Sequence, residues 1–160
     1  MFLDIDLGSQ TLTLSEARDS NTIKAYPVST SRYGAGEIRD SYKTPRGLHM
    51  IRAKVGAGRP ANTVFQARRP TGEIFDEEMK VRYPNRDWIL TRILWLSGLE
   101  KGKNRLGDVD TMRRFIYIHG CPDSTTLGVP GSIGCIRMNN QDLIELFDRV
   151  SVGDIVNLSE

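Results

Sequence analysis

The feature that most restricts this chain is a short apolar run, Phe115-Ile116-Tyr117-Ile118, that stops at His119-Gly120. A run of this length bounded by turn residues reads as a buried strand. Pro122, Asp123, Ser124, Gly128, Pro130 and Gly131 are loop chemistry, and the chain then comes back as Ser132-Ile133-Gly134-Cys135-Ile136-Arg137-Met138. A histidine and a cysteine therefore stand at the two mouths of one loop.

Thiol chemistry needs that pair. A free cysteine is only slightly ionised at neutral pH, and a neighbouring imidazole can take its proton and leave a thiolate able to attack a carbonyl. Cys135 is the candidate nucleophile and His119 the candidate base. The small residues Ser132 and Gly134 let backbone N–H groups approach the oxygen that becomes negative on attack. Arg137 projects from the same face as Cys135 on a short strand and can hold a carboxylate through two parallel hydrogen bonds. The bland alternative is an inert core cysteine and a polar strand tip.

The pattern His119-Gly120, a loop, then Ser132-Ile133-Gly134-Cys135-Ile136-Arg137-Met138-Asn139 resembles the signature of the L,D-transpeptidase catalytic domain, also called the YkuD domain. Val28-Ser29-Thr30 and Thr44-Pro45-Arg46-Gly47 are similar to that family's other recurrent blocks, in the right order. The resemblance runs from the first strands to Val156. It departs at Ile133, where many members carry a histidine, so any substrate contact by that side chain is missing here.

The length of 160 residues, with 39% hydrophobic, suits one globular domain spanning 1–160. With 22 basic and 20 acidic side chains and a formal net charge of +2, bulk charge gives no reason to expect a nucleic-acid partner. Met1 to Leu7 alternates apolar and acidic residues without a basic leader, so it reads as a strand and not a signal peptide. No run is long enough to cross a bilayer as a helix. The expectation is a cytoplasmic protein, or a periplasmic one if the chain is cut from a longer exported precursor. Only two cysteines are present, and a disulfide between Cys121 and Cys135 would consume the proposed nucleophile.

Gly8-Ser9-Gln10 joins the first strand to Thr11–Ser15 as a hairpin, and 21–28 supplies a third strand. Thr44-Pro45-Arg46-Gly47 reads as a turn bordering the cleft. Leu48–Val55 is a strand carrying His49, and no spacing of His49, His119, Cys121 and Cys135 fits a common zinc pattern, so neither metal nor cofactor is expected. From Gly56 to Asp87 the reading is long loops around a short strand at 63–67, with Arg59, Arg68, Arg69 and Arg82 either solvated or forming a lid over an acidic substrate. Trp88–Leu96 reads as a strand. Asn139 or Asn140 caps a helix whose Leu143, Ile144, Leu146, Phe147 and Val150 form one apolar face, and 154–158 is a last strand.

The fold expected is thus mainly β with one clear helix after the cysteine, and the family resemblance implies a β-sandwich-like mixed sheet. It also implies an enzyme acting on peptidoglycan tetrapeptide stems at the bond between the diamino acid, commonly meso-diaminopimelate, and the terminal D-alanine. Cys135 would form a thioester and release D-alanine, His119 would move the protons, and the Gly120 carbonyl would orient the imidazole. Ser132 and Gly134 would shape the oxyanion pocket, and Arg137 would steady substrate carboxylates. Carbapenem acylation of the thiol is implied as well. Water as acceptor, giving an L,D-carboxypeptidase working on soluble muropeptides in wall recycling, is the expectation for a bare catalytic domain. An amine acceptor gives cross-links or D-amino-acid exchange in wall biogenesis. Readings from other classes are a non-catalytic wall-peptide binding module and a redox protein using Cys121 with Cys135.

Overall fold

The computed structural model describes residues 1–160. Strands β1 (Phe2–Asp6) and β2 (Thr11–Ser15) form the first hairpin, with Asp6 opposite Thr11. Their alternation has a packing reason: Leu3, Ile5, Leu12 and Leu14 are fully buried while Asp4 and Thr13 are only half-buried. Strand β3 (Thr22–Ser29) continues the antiparallel run. Strand β4 (Gly47–Val55) follows a long connection.

Next come β5 (Thr63–Gln66), β6 (Arg69–Ile74), the short helix α1 (Glu77–Arg82) and the long strand β7 (Ile89–Gly98). Strand β8 (Tyr117–Gly120) ends at the histidine, β9 (Ile136–Met138) begins just after the cysteine, helix α2 (Asn140–Arg149) follows, and β10 (Ile155–Ser159) completes the chain. The sheet order is β4-β10-β1-β2-β3-β9-β8-β7-β5-β6, and β4 also pairs with β7, so the strands close on themselves. Two pairs are parallel, β1 with β10 and β8 with β9. Leu3, Ile5, Leu12, Leu14, Ile51, Leu94, Leu96, Ile118 and Ile136 meet inside with Leu143, Leu146 and Phe147 of α2 in one core.

The fold is mainly β, and α2 is its one substantial helix. Asn139 caps it, its side chain accepting from the N–H groups of Gln141 and Asp142. At the other end the Lys54 ammonium, from β4, donates to the carbonyls of Phe147 and Val150.

The segment from Gly56 to Asp87 is more ordered than its sequence implies. Strand β6 is almost wholly exposed, so it has no buried alternation to read, and it contains Pro70 and Gly72. It forms because Ala67 and Arg68 both take positive φ, 47° and 63°, and turn the chain tightly back onto β5. Such turns are usually signalled by Asn-Gly. Helix α1 buries no residue and depends on its Asp76 cap.

His49 is a fully buried strand residue: its Nδ1 donates to Gly47 O at 2.9 Å and its Nε2 accepts from the Thr111 hydroxyl at 2.9 Å. Burial lowers its pKa from 6.5 to about 4. A folded pKa below the unfolded one means that the unfolded chain binds the proton first, so stability declines as pH falls from 6.5 towards 4. The expected contribution lost by pH 4 is about 3 kcal/mol. Urea unfolding at pH 7 and pH 4 checks this, since a His49→Gln variant should show a pH dependence weaker by about that amount.

Candidate active site

Strands β8 and β9 are parallel neighbours with Ile118 opposite Ile136 and His119 opposite Arg137. Both isoleucines point into the main core. Alternation then sends Tyr117, His119, Cys135 and Arg137 to the other face. Tyr117 and Cys135 meet there against Phe65, Ile93 and Trp95. The histidine and cysteine singled out from the sequence therefore share one face of two adjacent strands.

In the resting structure they are not bonded to each other. The half-buried Cys135 turns its sulfur towards the backbone, receiving the Tyr117 N–H at 3.3 Å and donating to Phe115 O at 3.4 Å. The buried His119 has Nδ1 at 2.7 Å from Gly120 O. A carbonyl only accepts, so Nδ1 carries the hydrogen and Nε2 is the basic nitrogen. Burial dominates both acidities. It pushes the Cys135 thiol up to about 12, with the Tyr117 N–H, Arg137 and Arg114 pulling the other way. It lowers the imidazole, opposed by the charge of Asp87 and by the Gly120 carbonyl. A buried ion pair would have to overcome both desolvation costs, so the resting pair is neutral thiol and neutral imidazole.

The loop entering Cys135 is fixed from within. Ser132 Oγ donates to Cys135 O at 2.6 Å and receives the Gly134 N–H at 3.2 Å, while the Ser132 N–H goes to Thr30 O. These two N–H groups are thus taken up in shaping the loop, rather than standing open for an oxyanion. Gly134 has φ +132°, and a Cβ there would lie 3.3 Å from Ile116 Cδ1, so glycine answers both a backbone and a space requirement. The buried Thr44 hydroxyl donates to Gly134 O and receives the Ser31 N–H, which joins the Thr44–Gly47 turn to this loop.

Arg137 donates to Gly131 O and pairs with Asp87, each at 3.2 Å. Asp87 thus occupies the carboxylate-binding side of the Arg137 guanidinium. On that side a cleft of about 350 Å³ is lined by Lys80, Arg86, Trp88, Ser124, Thr125 and Arg137. Beyond Phe115 and Ile133 lies a second cleft of about 300 Å³, which Arg39, Tyr42, Arg113 and Arg114 also line. The Cys135 thiol contacts Phe115, which lines the second cleft, and Arg137, two residues beyond the cysteine, lines the first. A larger cavity of about 430 Å³, lined by Met1, Phe2, Leu48 and Leu99, contains none of these residues.

Among the arginines of the Gly56–Asp87 segment, Arg68 lies against this region. Its guanidinium donates to the Tyr117 hydroxyl at 2.9 Å and covers the rings of Trp95 and Phe115. Cys121 is buried, its thiol donating to Met138 O, and neither cysteine is in a disulfide. No three or more His, Cys, Asp and Glu side chains cluster closely enough to hold a metal ion. Thr44 belongs to the turn expected to border the cleft, whereas Asp87 and Arg114 were not foreseeable, because each reaches the site across a long sequence separation.

A family model described as the L,D-transpeptidase catalytic domain matches residues 1–158. No curated protein matches the chain. Solved structures do. An L,D-transpeptidase from Mycobacterium smegmatis superposes with a TM-score of 0.57 at 18% identity, covering 99% of this chain and 58% of that one. L,D-transpeptidase 3 from Mycobacterium tuberculosis, solved with a faropenem-derived adduct, gives 0.57 at 18%, covering 99% and 60%. An Enterococcus faecium L,D-transpeptidase mutant gives 0.57 at 14%, covering 98% and 48%. At these identities the likeness concerns the fold, and the chain spans between 48% and 60% of those proteins' length.

The neutral resting pair has a kinetic signature. Iodoacetamide alkylation of Cys135, followed by peptide mass spectrometry to separate it from Cys121, should accelerate continuously as pH rises through 9. A plateau in the acid range, the mark of a preformed thiolate–imidazolium pair, would contradict the neutral assignment.

Proposed function

The chain belongs to the L,D-transpeptidase catalytic domain family, and from that membership we propose that it is a cysteine-dependent acyl-transfer enzyme acting on peptidoglycan tetrapeptide stems. The observation that carries this reading is an imidazole with Nδ1 committed to Gly120 O, on the same sheet face as a thiol that contacts Phe115, a wall of one cleft, and stands two residues before Arg137, a wall of another.

The steps follow from that geometry. Cys135 Sγ leaves Phe115 O, its proton passes to Nε2 of His119, and the sulfur attacks the carbonyl of the diamino acid, for which meso-diaminopimelate is the expected identity. A C–S bond forms. As the tetrahedral species collapses, the C–N bond to D-alanine breaks and the proton on Nε2 goes to the departing amine. Because the thiol is neutral at rest, proton transfer belongs to the attack itself and not to the resting enzyme. A stem peptide carries several carboxylates, and Arg137, Arg86 and Lys80 in the first cleft have matching charge. An incoming carboxylate would compete with Asp87 for Arg137.

The thioester then meets water or an amine. Water yields a tripeptide, which is L,D-carboxypeptidase activity, and an amine yields a cross-link or an exchanged D-amino acid. The second cleft, on the Phe115 side of the sulfur, supports an acceptor larger than water. Its arginines suit a carboxylate carried by that acceptor.

Incubation with a disaccharide tetrapeptide, with and without an added D-amino acid, tests both stages by mass spectrometry. Loss of one D-alanine is expected, together with dimer or exchange product when an amine is supplied; tripeptide alone would assign the enzyme to hydrolysis. Cys135→Ser should remove all turnover, and Cys121→Ser should leave it within about twofold, since that thiol touches no reacting atom. Stem-peptide binding by wild-type protein without any product would instead indicate a binding module.

A further inference from the structure

The orientation of His119 depends on one carbonyl, and that carbonyl is held by groups outside the reacting pair. Gly120 has no room for a side chain: a Cβ would overlap Asn140 Oδ1 and lie 2.6 Å from Leu90 O. Asn140, the first residue of α2, is buried, and its Nδ2 donates to Cys121 O at 2.8 Å. One amide thus presses on the Cα of Gly120 and ties the carbonyl of the next residue. The peptide unit between those points carries Gly120 O, the acceptor for Nδ1.

Asn140 is held in turn by Thr91. The Thr91 hydroxyl receives the Asn62 N–H at 3.0 Å and donates to Asn140 Oδ1 at 2.6 Å. Donor and acceptor senses are fixed along the whole relay, because the Asn62 N–H can only donate and Cys121 O can only accept. Nδ2 also reaches Asp123 Oδ1 at 3.1 Å and Asn62 Oδ1 at 3.2 Å. Thr91 is fully buried and has φ +76°, a conformation that a β-branched residue adopts only under constraint. Its carbonyl receives the Arg92 guanidinium at 2.7 Å.

We propose that Asn140, locked by the Thr91 hydroxyl, is a positioning residue that fixes the Gly120 carbonyl and thereby keeps the basic lone pair of His119 on Nε2. The role rests on His119 serving Cys135 as its base, as set out above. Asn140 touches neither substrate nor thiol. The charged groups felt by the ring are Asp87, ahead of β7, and Arg137, on β9; Asp123 sits at the far side of the Asn140 amide.

Thr91→Val deletes the hydroxyl while keeping shape and β-branching, and Thr91→Ser keeps the hydroxyl. Two readouts apply to the full chain: ¹⁵N shifts of the labelled His119 ring, which report the tautomer without any turnover, and the pH profile of D-alanine release from the tetrapeptide. In Thr91→Val, kcat should fall about tenfold or more with little change in KM. The Nδ1–H tautomer should lose population in that variant. The acid limb of its profile should move to lower pH, because the carbonyl that favours the imidazolium is loosened. Thr91→Ser should restore all three. An active wild type with unchanged ring shifts and profile in Thr91→Val would overturn the proposal. Should Thr91→Val not fold, the wild-type spectrum still decides, since an Nε2–H tautomer there would refute it. A wild type that releases no D-alanine would refute the acyl-transfer reading while leaving the ring measurement to judge Asn140.

Discussion

The site depends on a parallel pairing only a few residues long. Ile118 lies beside Ile136 and His119 beside Arg137 because β8 and β9 run in the same direction. Had β9 run antiparallel, a tight turn could have joined the two strands. A parallel partner needs a long crossover, and here residues 121–135 supply it as a loop without a helix. The two isoleucines lock the register by entering the buried apolar core, and a slip of one residue would turn the reacting face inward. The chemistry therefore inherits its geometry from the apolar side of the same two strands.

The burial that fixes this geometry also sets the protonation states. Taking the imidazole and the thiol out of water disfavours both charged forms, lowering the pKa of the first and raising that of the second. Arg137 and Asp87 pair across the site and act on the ring with opposite signs, Asp87 the more strongly. A neutral thiol at rest also explains how Cys135 can sit against two backbone groups: Phe115 O requires a sulfur that still carries its hydrogen.

What could be read from the chain follows the range of the interactions. His119, Gly120, Ser132, Gly134, Cys135 and Arg137 occupy two short segments whose chemistry is local, and they emerge together in the structure. The Asn139 cap and the apolar stripe of α2 were legible for the same reason. Strand β6 was not, since it exists by pairing with β5 across Ala67-Arg68, a turn lacking the residues that normally announce one. Asp87 lies among Arg, Pro and Asn and looks like surface until Arg137, fifty positions away, is brought to it. Ile133, where the sequence departs from the family pattern, lines the second cleft.

Thr91 shows how a local cost can serve a distant group. Its left-handed backbone, worth about 1–3 kcal/mol for a constrained non-glycine residue, interrupts the pairing of β7 with β8. Leu90 lies opposite Gly120 and Ile93 opposite His119, so Thr91 and Arg92 are looped out between them. An uninterrupted ladder would place a different residue against Gly120 and would leave the Thr91 hydroxyl away from Asn140. The bulge also turns the Thr91 carbonyl out of the ladder, where Arg92 receives it with a guanidinium that also bonds Arg59 O. Arg92 accepts incomplete satisfaction in return, since its buried Nε has no partner. The strained backbone of Thr91 thus sits beside Gly120, the residue whose carbonyl holds the histidine.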